Sequence, residues 1–285
     1  MDIKRVGIAG FGLMGSGIVE VCAKAGYDVL VLEATDDFLK NGFAKLEKSL
    51  TGAVAKGKIQ ISEADAVRAR VQGTTSVEDL ADRDFIIEVI IENLEMKRQL
   101  FAKLDAICPS HTIFASNTSS MQIIELAAAT KRGDRFVGMH FFNPVPTMKL
   151  VEVVRSIQSS DESMAIATKF GESLGKKPIM AKDGAGFIVN LLLVPYLLDA
   201  IRALEKGVAS KEDIDTGMML GCGYPMGPLT LLDMVGLDTV YYITHIMFEE
   251  FKDSKYSSPP LLKQMVAAGY YGKKSGRGFY NYNTK

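Results

Sequence analysis

The run Val6-Gly7-Ile8-Ala9-Gly10-Phe11-Gly12-Leu13-Met14-Gly15 constrains this chain more than any other stretch. A short apolar run enters glycines spaced G-x-G-x-x-G, and a helix-compatible segment from Ser16 to Ala25 follows, which Gly26 can end. A strand that stops in glycines and restarts as a helix leaves backbone N–H groups unpaired at the helix N-terminus. The helix dipole adds to them, and together they favour a bound phosphate. One glycine makes the tight turn, one lets a pyrophosphate approach, and one packs helix on strand. Gly10, Gly12, Leu13, Met14 and Gly15 are therefore candidate dinucleotide contacts. Glycine-rich turns are common, so the triplet gains meaning only from its surroundings.

The next segment, Tyr27 to Glu33, reads as a second strand ending in an acid. Glu33 lies 18 positions beyond Gly15, close to the ~20 expected for the carboxylate that binds a ribose hydroxyl. An acid there repels a 2′-phosphate, and Ala34-Thr35-Asp36-Asp37 supplies no arginine to receive one. The preference is NAD over NADP.

From Asp36 to Gln72 the chain reads as polar, amphipathic helix, with Ser62-Glu63-Ala64-Asp65 offering an S-x-x-D cap for a second helix. Its lysines, Lys40, Lys45, Lys48, Lys56 and Lys58, form a solvated face or in part meet an anionic ligand. Strand candidates then return at Asp84–Ile90, Thr112–Ser116 and Arg135–His140, separated by helical segments, and again at Lys149–Val154. This alternation predicts a doubly wound, Rossmann-type α/β domain over residues 1–183. Ligands of such sheets bind beyond the carboxyl ends of the strands. That places Gly10–Gly15, Glu33, Glu92, Ser116–Ser120 and His140 along one edge. Beyond Asp183-Gly184 only helices are expected, at Phe187–Glu205, after Ser210, after Pro228 and at Val240–Glu250. Residues 184–285 thus read as a smaller all-α domain.

Composition excludes several classes. The net charge is −1, so no basic field points to nucleic acid or an anionic membrane. No apolar run reaches the ~18–20 residues of a membrane span. Cys22, Cys108 and Cys222 are few and far apart, without metal-ligand spacing, which predicts no disulfide framework, no metal and a reducing compartment such as the cytoplasm.

Of three histidines, His111 falls in a loop and His245 in a helix, while His140 ends a strand on the ligand edge. The rigid turn Phe141-Phe142-Asn143-Pro144-Val145-Pro146 follows it, and Glu152 stands twelve positions later on the next strand candidate. If those strands are neighbours, Glu152 can face His140. A carboxylate beside an imidazole fixes its tautomer and stabilises its cation, as a proton-shuttling dyad requires. A packed histidine and an exposed edge-strand glutamate are the plainer alternative. Asn190, inside the apolar run Gly186–Leu193, must find polar partners, either in neighbouring backbone or in a substrate.

Five segments then occur in a telling order: Ser116-Asn117-Thr118-Ser119-Ser120, His140–Pro146, Gly186-Phe187-Ile188-Val189-Asn190, Tyr224–Pro228 and Gly272–Tyr280. In them the chain resembles the (3S)-3-hydroxyacyl-CoA dehydrogenase family, particularly its stand-alone bacterial 3-hydroxybutyryl-CoA dehydrogenases. The resemblance spans essentially the whole sequence. It implies that His140 is the general acid/base and Glu152 its partner, with Ser119 and Asn190 bonding the substrate's C3 oxygen or the histidine. It implies NAD contacts at Glu92, Lys97, Ser119, Asn143 and Lys274, and CoA contacts at Ser49 and Lys56. It also implies an acyl-CoA thioester substrate and a homodimer through the C-terminal helices. One departure is Leu191, where many members carry arginine. Two other functions compete with this one: a non-catalytic dinucleotide-binding redox sensor, and a dehydrogenase of free hydroxy acids.

Overall fold

The glycine run folds as its pattern requires: Arg5–Ala9 forms β1, and Leu13–Lys24 forms α1. The computed structural model describes residues 2–283. They fall into two units, one ending at Gly184 and the other starting at Ala185.

In the first unit β2 (Asp28–Leu32), α2 (Asp36–Ala55), α3 (Ile61–Ala69) and β3 (Val71–Thr74) follow. Next come β4 (Phe85–Glu88), α4 (Leu94–Ile107), β5 (Ile113–Ser116) and α5 (Ile123–Ala127). The unit closes with β6 (Phe136–Phe141), β7 (Leu150–Arg155), α6 (Asp161–Ser173) and β8 (Lys177–Lys182). The eight strands form one sheet in the order β3-β2-β1-β4-β5-β6-β7-β8. All neighbours are parallel except β6 and β7. This is the doubly wound Rossmann-type sheet that the alternation predicts.

The central strands β1, β4, β5, β6 and β7 are buried on both faces, and the period-two alternation sorts their side chains. Val6, Ile8, Phe85, Ile87, Ile113, Ala115, Val137 and Met139 join one apolar cluster with residues of α1, α2, α3 and α6. On the opposite face the Phe101 ring of α4 packs against Phe114 and Phe136, at 5.7 and 4.5 Å between centroids. That second face carries Ile86, Glu88, Phe114, Ser116, Phe136, His140 and Glu152 by alternation. It is apolar in mid-sheet and polar toward the carboxyl ends of the central strands.

Two local expectations need correction in this unit. The helix predicted to be capped at Ser62 begins at Ile61. Gln60 is its N-cap, and the Gln60 N–H donates to Glu63 Oε2 at 2.7 Å. The entry point, beside buried Ile59, lies two residues earlier than the serine suggests. The second correction is β3, which lies partly inside the segment read as helix. Only Val71 of its four residues is buried, so a lone β-branched anchor on an edge strand leaves almost no period-two signal.

The second unit contains α7 (Val189–Glu205), α8 (Lys211–Cys222), α9 (Pro228–Val235), α10 (Leu237–Phe251) and α11 (Pro260–Ala267). Ser210 caps α8 through its side chain, and Pro228 stands in the first turn of α9. Their core includes Leu197, Leu198, Ile201, Leu229, Leu232, Leu237, Val240 and Leu262. Helix α11 was not expected; it is only eight residues long and buries Leu262 and Met265. Two buried carboxylates tie the loops of this unit. Asp215 accepts from Leu229 N and Thr230 N at the start of α9, and Asp233 from Phe279 N and Tyr280 N. Among the described residues no helix is long and apolar enough to cross a membrane.

Candidate active site

The glycine turn is shaped by what a side chain would strike. A Cβ on Gly10, whose φ is +110°, would lie 2.6 Å from Val89 O; one on Gly15 would lie 2.0 Å from Gly10 O. A Cβ on Gly12 would meet no protein atom within 4 Å. The first two glycines permit close packing within the protein, and Gly12 keeps the space over the helix N-terminus open. Gly12 is also the N-cap of α1, no acid occupies the first turn, and no side chain caps it. These N–H groups are an unobstructed anion site of the kind a dinucleotide pyrophosphate fits. Leu13 is exposed beside them, and Met14 packs partly buried against the core. Glu33, just past the end of β2, holds the turn from the side by accepting from Phe11 N at 2.5 Å. Phe11 itself is buried and edge-on to Phe43 at 5.1 Å.

Beyond β4 and β5 lies a polar network that the sequence only partly foretells. Glu88, the last residue of β4, is fully buried. Its carboxylate accepts from Lys97 Nζ at 2.5 Å, Ile90 N at 2.7 Å and Ser116 Oγ at 2.6 Å. Lys97, 1% exposed, also stands 3.0 Å from Glu92 Oε2. Glu92 Oε1 accepts from Thr118 Oγ1 at 2.9 Å and Ser119 N at 3.0 Å. Burial pushes the Glu88 carboxyl above the usual carboxylate range, against the opposing pull of the Lys97 ammonium and the Ser116 hydroxyl. Asn117 reaches the next strand, where its Oδ1 accepts from Phe141 N at 2.9 Å. Glu88, Thr118 and the Asn117 link were not singled out from the sequence. The available signal was an acid inside the apolar run Phe85–Ile90, which burial obliges to find a partner.

His140 and Glu152 stand directly opposite each other in the antiparallel β6–β7 pair. Residues in register on adjacent strands project to the same face. His140 Nδ1 meets Glu152 Oε2 at 2.6 Å, with the histidine 6% exposed and the glutamate fully buried. The Phe142 ring lies 4.5 Å from the imidazole. Asn143 is exposed in the turn beyond β6, and the Asn143–Pro144 peptide is cis. His111 is a half-exposed loop residue near Asp84, and His245 bonds the Tyr241 carbonyl within α10.

Ser49 and Lys56 lie seven positions apart at the carboxyl end of α2, both exposed. That spacing, two helical turns, puts them on one face. In the second unit Asn190 stands half-buried in the first turn of α7. It follows Gly186 and Phe187, both at positive φ, +83° and +48°. A buried phenylalanine held there costs about 1 kcal/mol or more, so its packing overrides its backbone preference. Lys274 pairs with Asp238 of α10 at 2.6 Å. The structure thus brings Glu92, Lys97 and Ser119 together, and His140 to Glu152.

The family model for the 3-hydroxyacyl-CoA dehydrogenase NAD binding domain matches residues 5–184, and that for the C-terminal domain of the same enzymes matches residues 186–282. The chain belongs to the 3-hydroxyacyl-CoA dehydrogenase family. It is 48% identical over 282 residues to a 3-hydroxybutyryl-CoA dehydrogenase of Mycobacterium tuberculosis, covering 98% of this chain and 99% of that one. It is 46% identical over 288 residues to the mitochondrial hydroxyacyl-coenzyme A dehydrogenase of Homo sapiens, covering 98% and 91%. A crystal structure of (S)-3-hydroxybutyryl-CoA dehydrogenase from Ralstonia eutropha superposes with a TM-score of 0.94 at 44% identity, covering 99% and 100%. The chain is an NAD-dependent oxidoreductase of this family, and the open glycine turn with Glu33 beside it suits that cofactor.

Proposed function

We propose that this dehydrogenase interconverts (3S)-3-hydroxyacyl-CoA and 3-ketoacyl-CoA, with 3-hydroxybutyryl-CoA and acetoacetyl-CoA as its pair. The observation that carries the reading is the buried His140–Glu152 dyad at 2.6 Å, near the carboxyl end of β6 in a dinucleotide-binding sheet. With Nδ1 committed to the carboxylate, proton exchange falls to Nε2. His140 takes the 3-hydroxyl proton at Nε2 in oxidation, and its imidazolium returns a proton to the keto oxygen in reduction. Glu152 holds the ring's tautomer and direction, and its charge stabilises the imidazolium. Held at the glycine turn, NAD would supply the hydride chemistry at C3.

Ser119 and Asn190 are proposed to hydrogen-bond the reacting C3 oxygen or the histidine, and Ser49 and Lys56 to contact CoA. Gly10, Gly12 and Gly15, with Leu13 and Met14, would receive the pyrophosphate, and Glu33 a ribose hydroxyl. Glu92, Asn143 and Lys274 would complete the NAD contacts, with Lys97 serving there through the carboxylate it holds. For Lys274 this requires sharing its ammonium with Asp238. The exposed apolar residues Leu192, Leu220 and Met234 of the helical unit support a homodimer built through it. Three free cysteines, two of them buried, suit a cytoplasmic setting.

The deciding experiment compares kcat/KM for acetoacetyl-CoA and free acetoacetate with NADH. A large preference for the thioester is expected. Equal use of the free acid would point to a hydroxy-acid dehydrogenase, and no turnover with bound NADH to a sensor.

A further inference from the structure

The Glu88 network closes on itself. Ser116 Oγ donates to Glu88 Oε2 and accepts from Thr118 N at 3.2 Å. Thr118 Oγ1 donates to Glu92 Oε1, Lys97 stands between the Glu92 and Glu88 carboxylates, and the path returns to its start. Inside this ring lie the backbone turns that leave β4 and β5. Glu88 also accepts from Ile90 N, and the segment Val89–Ile90 is the one packed against the glycine turn: a Cβ on Gly10 would lie 2.6 Å from Val89 O and 3.0 Å from Ile90 N.

We infer that Glu88 is a positioning residue for the reaction, its two carboxylate oxygens setting the loop that backs the glycine turn and the loop that carries Ser119 at a fixed spacing. One oxygen serves each loop: Oε1 takes Ile90 N, and Oε2 takes Ser116 Oγ and through it Thr118 N. A purely cohesive role fits the chemistry poorly. Glu88 shares its sheet face with Ile86 and Phe114, and a buried ion pair is commonly replaceable by well-packed apolar groups without loss of stability. What apolar groups cannot do is direct two irregular loops by hydrogen bonds. Reactions of this kind are sensitive to displacements of about 1 Å in the groups that hold reacting atoms. The consequence for turnover rests on the function proposed above; the consequence for the loops does not.

The test uses Ser116→Ala, Glu88→Gln and the double variant in the full-length enzyme. Ser116→Ala removes one hydroxyl and leaves the Lys97 and Ile90 contacts of Glu88 in place. Amide hydrogen exchange at Thr118–Met121 should rise about tenfold or more in Ser116→Ala, with no change at Val89–Ile90. In Glu88→Gln it should rise in both segments. For acetoacetyl-CoA reduction, kcat should fall about fivefold to fiftyfold in each single variant, with KM for NADH within about twofold in Ser116→Ala. The double variant should be no slower than the slower single, because the hydroxyl acts through the carboxylate. Unchanged exchange at Thr118–Met121, losses in kcat that multiply, or slower turnover that merely follows a lower melting temperature would each overturn the inference. A wild type inactive on acetoacetyl-CoA would overturn the substrate assignment instead, leaving the exchange result to judge Glu88.

Discussion

Strand β4 is bracketed by two acids, Asp84 before it and Glu88 at its end, with Phe85, Ile86 and Ile87 buried between them. Asp84 holds the neighbouring strand, accepting from Lys4 N at 2.9 Å and Arg5 N at 2.8 Å. Burial alone would raise its carboxyl; the two backbone N–H groups and the Arg5 charge more than offset that and hold it below the usual range. Glu88 sits four residues on, is held above the usual range by burial, and bonds one loop N–H and the side chains of Lys97 and Ser116 rather than the backbone of a strand. The same contrast runs along the sheet. At the amino edge, Arg132 binds Asp105 and the carbonyls of Asp105, Cys108 and Pro109, stapling the carboxyl end of α4. At the carboxyl edge the polar groups converge on the loops that carry Gly12 and Ser119 and on the end of β6 that carries His140. One edge uses charge to fasten the fold, and the other uses it to aim side chains.

The largest expected effect separates the edges outright. His140→Ala should lower kcat by about 10²–10⁴, the usual worth of general acid–base catalysis. NADH affinity should stay within about twofold. Retained turnover in that variant would remove His140 from the mechanism.

The glycine turn gives the next contrast. Gly12→Ala places its methyl group where no protein atom lies within 4 Å, so the melting temperature should hold. The same methyl group intrudes on the open anion site, and NADH binding should weaken about tenfold or more, or ~1.4 kcal/mol. Gly15→Ala should instead lose both, since its Cβ would overlap the Gly10 carbonyl at 2.0 Å. Calorimetric binding and thermal melts on the two variants measure this; an intact NADH affinity in Gly12→Ala would move the pyrophosphate elsewhere.

At the amino edge the signs reverse. Arg132→Met leaves Asp105 and three carbonyls without their buried donor and should destabilise by about 2–4 kcal/mol in denaturant titrations. At a temperature where the variant remains folded, kcat should match the wild type. A loss of kcat without loss of stability would erase the distinction between the edges.

How far this division can be seen in the sequence differs between its halves. The glycine turn, Glu33 and the twelve-residue step from His140 to Glu152 are legible because each is a spacing, and spacing survives in one dimension. The register that sets His140 against Glu152 needed only the assumption that consecutive strands pair. Glu88 was hidden because an acid in an apolar run has the same letter whether it is solvated or buried. Its three donors come from positions 90, 97 and 116, on a loop, a helix and another strand. Edge strand β3 and helix α11 were missed for a different reason. Both are short, with one and two buried side chains respectively, so tertiary contacts rather than periodicity define them.

The smallest effect is the one that tests the two acids against each other. Asp84 is depressed, so the stability it adds is fully present above its unfolded value of ~3.9 and is lost as pH falls through its lower folded value. The advantage of wild type over Asp84→Asn should therefore shrink on acidification below about pH 4. Glu88 is raised, so the folded state binds its proton more tightly than the unfolded state, whose value is ~4.3. Relative to Glu88→Gln, the wild type should gain stability as pH is lowered toward ~4.3, and stop gaining below it. Urea titrations across pH 3–7 on the three proteins would give slopes of opposite sign for the two acids. Parallel slopes would mean that Lys97 and the hydrogen bonds from Ile90 and Ser116 outweigh burial at Glu88, and the two ends of β4 would then differ in partners but not in kind.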